Sequence, residues 1–302
     1  MSNEFHKYIK AVGTGAKHNF DLSIEQMEEA MGMILDGTIY PEQLSAFLLG
    51  WRIKPETTDE FIGAIKSFDK YIKREKIENS IELGYPYDGK CNNPYMFSLI
   101  AKELEPYGIN IVVTGDKLQP AKGGIVVSQI IQDIDKSSNL YYFDRKNIFP
   151  QLSNLTQTRM RLGTRTGFNT IERLLNPAFS DIAFTGVFHK PFMEKYVKIF
   201  GNRYKKLVIT KGNEGTSEIF SKTQYWIVQN NTTTEYKIDP KYFGIDYKKS
   251  WDKIRYDEMV NIINNPTKEF MKLIKLNSAF ILNCFNKVLT IEDGYDILSE
   301  KL

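Results

Sequence analysis

The sequence predicts an α/β protein in which a small helical domain packs on a larger α/β domain with a mostly parallel central sheet. The N-terminal quarter repeats its apolar residues at helical spacing. From about residue 80, short apolar runs alternate with helical patterns, and this βαβα order is typical of parallel sheets. The composition, 42% hydrophobic and 25% charged over 302 residues, is that of a globular chain able to bury a core.

Three amphipathic helices are predicted near the N-terminus. Ser23, with Gln26 three residues later, forms a capping box for the first helix. Pro41 fits the first turn of the second helix, and Thr58 or Asp59 can cap the third. The apolar stripes on the first and third helices are interpreted as core or as a dimer face. We therefore expect a homodimer assembled through the helical domain.

The α/β part begins with IELGYPYDG, a short strand and loop, and the pattern then alternates towards the C-terminus. The predicted strands are INIVVTGD, NLYYFDR, DIAFTGVF and YKKLVITKG, and the predicted helices are PYMFSLIAKELEPYG, GGIVVSQIIQDI and PFMEKYVKIFG. The segment KTQYWIVQNNTTTEYKIDP has two alternating runs about NNTTT and predicts a hairpin. The tail from about residue 256 is predicted to be helical.

The helical segment PQLSNLTQTRMRLGTRTGFNTIERLLNPAFS interrupts the α/β pattern. We therefore expect a helical domain of residues 1–78 completed by about 152–178, and an α/β domain of residues 79–151 and 179–302. A cleft between the two domains is the natural place for a ligand.

Charge and composition exclude several classes of function. The formal net charge is +3, from 40 Lys and Arg against 37 Asp and Glu, so a polyanion site must be local. The two cysteines and three histidines show no metal-ligand spacing. No apolar run approaches the roughly 20 residues that span a bilayer, and the N-terminus has no signal-peptide pattern. A cytoplasmic protein that does not enter membranes is expected.

The stretch LGYPYDGKCNNPYMFS lies just before a βα pattern, where α/β proteins often bind an anion. It has the outline of a phosphate-binding loop, but Pro86 and Tyr87 stand where such a loop needs glycine. Proline lacks an N–H donor, and a tyrosine side chain obstructs close approach to the backbone. The sequence therefore predicts phosphate contacts through side chains and not through a backbone cradle.

Three longer segments resemble the anthranilate phosphoribosyltransferase family, which has the glycosyltransferase family 3 and pyrimidine nucleoside phosphorylase fold. These are PEQLSAFLLGWRIKPETTDEFIGAI, RMRLGTRTGFNTIERLLNPA and KLNSAFILNCFNKVLTIEDGYDIL. The second is similar to the family's R-x-x-L-G-x-R-T-x-F-N-x-x-x-P-L-x-N-P-A hallmark. The resemblance implies transfer of a phosphoribosyl group from phosphoribosyl pyrophosphate (PRPP), with Mg²⁺, and the family's fold.

Residue by residue, the resemblance retains the scaffold and loses much of the PRPP site. The family's GTGGD loop aligns with residues 84–88, its N-x-S-T turn with 92–95 and its K-H-G strand end with 113–115. The serine-rich segment aligns with 119–124, and the magnesium-binding D-E pair retains Glu218 alone. Arg159 matches the arginine that reads the acceptor carboxylate. No catalytic residue is assigned. The implied phosphate or ligand contacts are Gly84, Asp88, Gly89, Lys90, Asn93, Lys122, Arg159 and Arg165, and the one candidate metal ligand is Glu218.

The order of residues in YPYDGKCNNP is similar to a second, divergent branch of the family, whose members have been considered nucleic-acid-binding dimers. We therefore expect a degenerate PRPP site and binding of a phosphate-rich ligand such as single-stranded nucleic acid. The candidate contacts are Lys90 and Arg161, with Tyr85 and Tyr87 as stacking faces, and Tyr95 beside them. The alternative for each of these residues is a purely structural role. The arginines would then form ion pairs, and the tyrosines would pack within the loop.

Two other functions are open from the sequence. An active pentosyl or phosphoribosyl transferase with a modified donor site would use Asp88, Lys90, Asn93, Lys122 and Glu218, with Mg²⁺ as its cofactor. The third is a structural or regulatory dimer. Apart from Mg²⁺ in the transferase, the sequence implies no cofactor. Besides nucleic acid, a phosphorylated small molecule is an expected partner.

Overall fold

A seven-stranded sheet organises the α/β part of the protein. The structure, a computed structural model, describes residues 3–117, 119, 123–248 and 252–300. The strands are β1 (Ser80–Gly84), β2 (Asn110–Gly115), β3 (Leu140–Asp144), β4 (Ile182–Val187), β5 (Lys206–Lys211), β6 (Thr223–Gln229) and β7 (Thr232–Ile238). Their order is β3-β2-β1-β4-β5-β6-β7; the first five are parallel, β6 is antiparallel to β5, and β7 is antiparallel to β6. This confirms the predicted mostly parallel sheet and its hairpin.

Helices surround the sheet and form the N-terminal part of the chain. They are α1 (His6–Gly13), α2 (Ile24–Leu35), α3 (Pro41–Ile53), α4 (Thr58–Tyr71), α5 (Phe97–Leu104), α6 (Val127–Ile130), α7 (Arg145–Ile148), α8 (Pro150–Asn154), α9 (Thr156–Leu162), α10 (Phe168–Ile171), α11 (Pro191–Phe200), α12 (Tyr256–Asn264), α13 (Lys268–Cys284) and α14 (Ile291–Ser299). The predicted helix GGIVVSQIIQDI shrinks to the four residues of α6. Within the described part of the chain, none of the helices is long and apolar enough to cross a membrane.

The caps of the helical domain follow the sequence closely. Ser23 accepts a hydrogen bond from the Gln26 N–H and forms the predicted capping box. The cap of α4 is Thr57, and not Thr58 or Asp59, because its hydroxyl accepts from the Glu60 N–H at 3.2 Å. The apolar stripes of α2 and α4 are buried against each other. They are therefore core, and the dimer-face interpretation of these stripes was wrong.

Two hydrophobic cores lie on the two faces of the sheet. One contains residues of α5, α12, α13 and α14 together with one face of β1 and β2. The other joins α1–α4 and α8, α10 and α11 to the opposite face of β4, β5 and β6. The interrupting segment thus packs with the N-terminal helices, while the boundaries between the two domains stay a prediction.

The contact between α2 and α4 requires a glycine. A Cβ built on Gly63 would lie 2.3 Å from the Ile24 carbonyl oxygen, so Gly63→Ala must separate the two helices. We expect a loss of about 1–3 kcal/mol in the free energy of unfolding, measured by urea denaturation. Gly32→Ala in α2 is the matched control, because its Cβ meets only Ser67 Oγ at 4.0 Å. This change should be neutral or stabilising by up to about 1 kcal/mol, and equal effects of the two changes would contradict the prediction.

Candidate functional site

The carboxyl ends of β1, β4 and β5 meet the segment around α9 and α10 at a cavity of about 520 Å³, which we call the cleft. In open α/β sheets this edge is where ligands bind. Its wall includes Pro86, Asp88, Asn92, Arg165, Arg173 and Glu214. The cleft therefore lies where the sequence predicted a ligand site, and residues 85–96, which we call the β1 loop, form one side of it.

Lys90 of the β1 loop is buried and not a surface cation. Its Nζ pairs with the carboxylate of Glu218 and donates to the Pro94 carbonyl oxygen at 2.8 Å. Glu218 also accepts from the Tyr85 hydroxyl at 3.0 Å and from the Met96 N–H at 2.9 Å. The prediction that Lys90 presents its charge to a ligand was wrong, because a carboxylate inside the protein neutralises this charge.

The three tyrosines of the β1 loop are buried as well. Tyr85 and Tyr95 pack edge to face with their ring centroids 5.0 Å apart, and the Tyr95 hydroxyl donates to the Ile125 carbonyl oxygen. The Tyr87 ring lies over the guanidinium of Arg145, 4.1 Å from its carbon to the ring centroid. Burial raises the pKa of all three phenols. These tyrosines pack within the loop. The prediction that they stack on nucleic-acid bases was therefore wrong.

A second carboxylate fills the turn that follows Lys90. The Glu214 Oε1 accepts from the Cys91 N–H at 2.5 Å and from the Asn92 N–H at 3.2 Å, and its Oε2 accepts from the Asn93 N–H at 3.3 Å. Asn93 itself is buried. The backbone donors of this turn, where the resemblance placed a phosphate contact, therefore face an acid of the same chain.

Asp88 and Gly89 form the tip of the β1 loop. The Asp88 carboxylate is buried and pairs with Arg165, whose Nε lies 2.9 Å from Asp88 Oδ2. Gly89 has a φ of +76°, and a Cβ there would lie 2.6 Å from the backbone of Gly124. The loop tip thus packs directly on the chain near residue 124, in a conformation that favours glycine.

Gly84 serves packing as well. A Cβ there would lie 2.7 Å from the Leu174 side chain, so this glycine allows β1 to approach the hallmark segment. Lys122 falls outside the described residues.

Arg159 belongs to a buried ionic cluster. Its two terminal nitrogens donate to the Glu172 carboxylate at 2.7 and 2.9 Å, and Arg145 binds the same carboxylate. Arg145 Nε also donates to Asp116 at 2.6 Å. Burial alone would raise the pKa of Glu172, but the two guanidinium groups outweigh it and hold that pKa below its usual value. Arg159 therefore supports the fold and does not reach into the cleft, contrary to the role implied by the resemblance.

A second cavity adjoins the cleft, and sequence reasoning missed it. It measures about 740 Å³, shares Phe188 and His189 with the cleft, and is lined by four lysines. These are Lys190, Lys211, Lys222 and Lys237, all exposed, and we call this space the lysine cavity. Lys190 follows the carboxyl end of β4 and Lys211 is the last residue of β5, so the position of the strand ends was the available signal. The other predicted cation, Arg161, is exposed on α9.

Comparison with known protein families agrees with this architecture. Residues 6–70 match the helical bundle domain of the glycosyl transferase family, and residues 124–302 match its a/b domain. The chain belongs to this glycosyl transferase family. The predicted resemblance is thereby confirmed at the level of the family and the fold.

Relatives of this glycosyl transferase family member are distant in sequence. An anthranilate phosphoribosyltransferase of Caldicellulosiruptor saccharolyticus is 27% identical in a match that covers 91% of this chain and 88% of the relative. An uncharacterized protein of Aquifex aeolicus is 29% identical over 233 residues, covering 76% of this chain and 74% of that protein.

Solved structures of anthranilate phosphoribosyltransferases share the fold. The Thermus thermophilus enzyme has a TM-score of 0.75 at 15% identity, over 99% of this chain and 94% of the enzyme. The Saccharomyces cerevisiae enzyme in complex with PRPP and Mg has a TM-score of 0.77 at 15% identity, over 99% and 93%. At this identity the likeness shows the fold alone.

The described residues of this family member do not fit a magnesium ion held by Glu218. Its carboxylate already binds the Lys90 ammonium, the Tyr85 hydroxyl and the Met96 N–H. Among the described residues, no group of three or more His, Cys, Asp or Glu side chains is arranged to hold a metal. Glu218 therefore positions the β1 loop, and its prediction as a metal ligand is corrected.

The pair of Lys90 and Glu218 should matter for stability. Lys90→Met leaves a buried carboxylate without its cation, so we expect a loss of about 3–5 kcal/mol in the free energy of unfolding. The double variant Lys90→Met/Glu218→Gln should recover most of it, since neither charge remains. Lys190→Met, which breaks the exposed pair with Glu235, is the control and should cost less than about 1 kcal/mol. A similarly small loss for Lys90→Met would show that the pair is not buried in solution.

Proposed function

We propose that this protein binds a phosphate-rich ligand, single-stranded nucleic acid, along a groove formed by the lysine cavity and the cleft, and that its PRPP site is degenerate. The observation that carries the proposal is the concentration of cations along these two adjoining cavities. Four exposed lysines line the first, and the Arg165 side chain, which is 43% exposed although paired with Asp88, lies in the second. The entire chain carries a net charge of only +3, so these cations form a local positive region.

The β1 loop supports the degenerate site. Its donors and cations are engaged by Glu214, Glu218 and Asp88, which are all acids of the same chain. A pyrophosphate at this position would have to displace carboxylates that are already hydrogen-bonded and mostly buried. The lysines of the lysine cavity are instead exposed and can reach a polyanion from solution.

Aromatic rings where the two cavities meet favour nucleic acid over a simple polyanion. Phe188 lies in the wall of both cavities, and its ring is 57% exposed. Phe192 lines the cleft nearby and is also exposed. Base stacking on such rings contributes about 1–3 kcal/mol per base and tolerates any sequence. The rings that serve this role are therefore not the predicted tyrosines but these two phenylalanines.

Removing the four lysines should change the salt dependence of binding. A quadruple Lys→Ala variant at positions 190, 211, 222 and 237 should bind a fluorescent oligonucleotide roughly tenfold or more weakly. The slope of log Kobs against log salt should become shallower by about 2–3, at roughly 0.7 per phosphate contact for single strands. Fluorescence anisotropy across a salt series measures both quantities.

The matched control replaces four exposed lysines that line neither cavity, Lys66, Lys146, Lys268 and Lys287. It lowers the net charge by the same amount, so it separates a local site from a general charge effect. Equal slopes for the two quadruple variants would rule out the lysine cavity as the binding surface.

An active transferase is the second candidate, and the relatives favour it. A relative named anthranilate phosphoribosyltransferase matches 91% of this chain. Under this proposal, Asp88, Asn93 and Lys122 remain as phosphate contacts and Mg²⁺ is the cofactor. Calorimetry with PRPP and Mg²⁺ distinguishes the two, because micromolar binding would contradict a degenerate site.

We also propose a homodimer through the helical domain, on a surface different from the stripes of α2 and α4. Leu49 and Ile53 lie one turn apart on the outside of α3, and Ile53 is 70% exposed. Met160 is exposed on α9, the helix that packs against α3. Exposed apolar side chains on contacting helices are typical of a protein interface.

A charge at this surface should break the dimer. Ile53→Glu would place a carboxylate in an apolar interface, so we expect a monomer in sedimentation velocity at micromolar concentration. Leu289→Glu, at a 92% exposed position outside the helical domain, is the control and should leave assembly unchanged. A wild-type protein that sediments as a monomer over this range would refute the proposal.

A further inference from the structure

The turn of Cys91, Asn92 and Asn93 has the geometry of an oxyanion site. Its three consecutive backbone N–H groups converge on one carboxylate, with donor-to-acceptor distances between 2.5 and 3.3 Å. Successive backbone N–H groups arranged in this way form a concave nest that binds anions. The acceptor here is the side chain of Glu214, which is more than 120 residues away in the sequence.

Glu214 is held in an unfavourable backbone conformation to reach this turn. Its φ is +59° and its ψ is 11°, the left-handed region that non-glycine residues rarely occupy. Gly186 and Gly212 both pack on the Thr216 backbone, where a Cβ would lie 2.1 and 1.7 Å from its carbonyl oxygen. The backbone two residues after Glu214 is thus tightly packed, and left-handed outliers held in such surroundings concentrate at functional sites.

Arg173 fixes the segment from the other side. Its Nη1 donates to the carbonyl oxygens of Gly186 at 2.9 Å and Gly215 at 2.8 Å. The residue after Glu214 is therefore tied to the end of β4. The Glu214 carboxylate therefore reaches the nest from a backbone segment that hydrogen bonds hold in place. Its contact with the three N–H groups depends on this segment as well as on the side chain.

The nest can be reached from the cleft. Asn92 and Glu214 both line the cleft, together with Arg165, whose side chain is 43% exposed. An anion that enters the cleft would meet this guanidinium and then the carboxylate of Glu214. In the present arrangement the carboxylate repels that anion and also occupies its donors.

We infer that Glu214 is a built-in occupant that closes an oxyanion site and excludes phosphate groups from the β1 loop. The ligand class that this site would take without the carboxylate is a tetrahedral oxyanion, such as inorganic phosphate or pyrophosphate. Glu214 is therefore the residue that determines the specificity of the cleft against small phosphates. The inference rests on the proposed degenerate PRPP site. It does not depend on nucleic-acid binding, because the phosphates of a nucleic acid would contact the lysines of the lysine cavity and not the turn of residues 91–93.

Glu214→Gly tests the inference directly. Glycine removes the carboxylate and also accepts the left-handed conformation, so the segment should keep its backbone. We expect the variant to bind inorganic pyrophosphate at least about tenfold more tightly than the wild type in calorimetry. The amide resonances of residues 91–93 should shift with pyrophosphate in the variant and stay unshifted in the wild type.

Two further variants serve as controls. Asn230→Gly relieves a similar left-handed φ of 51° in the turn between β6 and β7, and should leave pyrophosphate binding unchanged. Glu214→Gln keeps the size of the side chain and removes its charge, so it should gain part of the binding. It also decides the question if the glycine variant is poorly folded.

Three results would overturn the inference. The first is a folded variant at position 214 that binds pyrophosphate no better than the wild type. The second is a gain in binding without shifts at residues 91–93, which would place the ligand elsewhere. The third needs no variant: pyrophosphate that shifts these amides in the wild type would show that the site is open.

Discussion

The carboxylate of Glu172 holds the guanidinium groups of Arg145 and Arg159 in the buried interior, between the sheet and the helices of the interrupting segment. Charges buried without a partner cost several kcal/mol each, so the three side chains must stay together. Asp116 at the end of β2 completes the cluster, and the Tyr87 ring lies over Arg145. The position of the β1 loop, and with it the shape of the cleft, follows from this cluster.

Buried charges are also paired around the β1 loop, next to this cluster. Three sets of cations or backbone donors at the β1 loop meet an acid of the chain: Lys90 meets Glu218, the 91–93 turn meets Glu214, and Arg165 meets Asp88. These pairings between groups of the same chain make the β1 loop rigid and leave it little net positive charge. The four exposed lysines of the lysine cavity lie beside this loop. The fold of the family is thus retained, and in the proposed function a phosphate meets these lysines and not the β1 loop.

Local signals in the sequence were enough to predict the fold. The capping box at Ser23 and the proline at the start of α3 depend only on neighbouring residues, and the structure has both. The Asn230–Asn231 turn of the hairpin uses two left-handed residues, as an Asn pair allows. The capping residue of α4 could not be chosen from the sequence, because Thr57 and Thr58 offer the same hydroxyl. The weak periodicity of the segment around α6 did not reveal how early this helix ends.

The candidate site could be located from the sequence but its chemistry could not. The β1 loop was placed correctly, yet the burial of Lys90 depends on Glu218, which is 128 residues further along the chain. Glu172 lies within the hallmark region, but nothing local indicates that it binds both Arg145 and Arg159. The four lysines of the lysine cavity are spread over the ends of different strands, so no single window of sequence groups them. Pairings of this kind follow from the tertiary structure alone.

The hairpin of β6 and β7 has a consequence for association between copies of the chain. β7 is the last strand of the sheet among the described residues, and within that part of the chain no strand pairs with its outer side. Glu235 and Lys237 place opposite charges on this exposed strand, and such charges discourage edge-to-edge pairing. Lys237 therefore has a second role besides lining a cavity: it helps to keep the sheet finite. In the proposed function Lys237 also contacts the ligand, so a substitution there would change both the edge of the sheet and the binding surface.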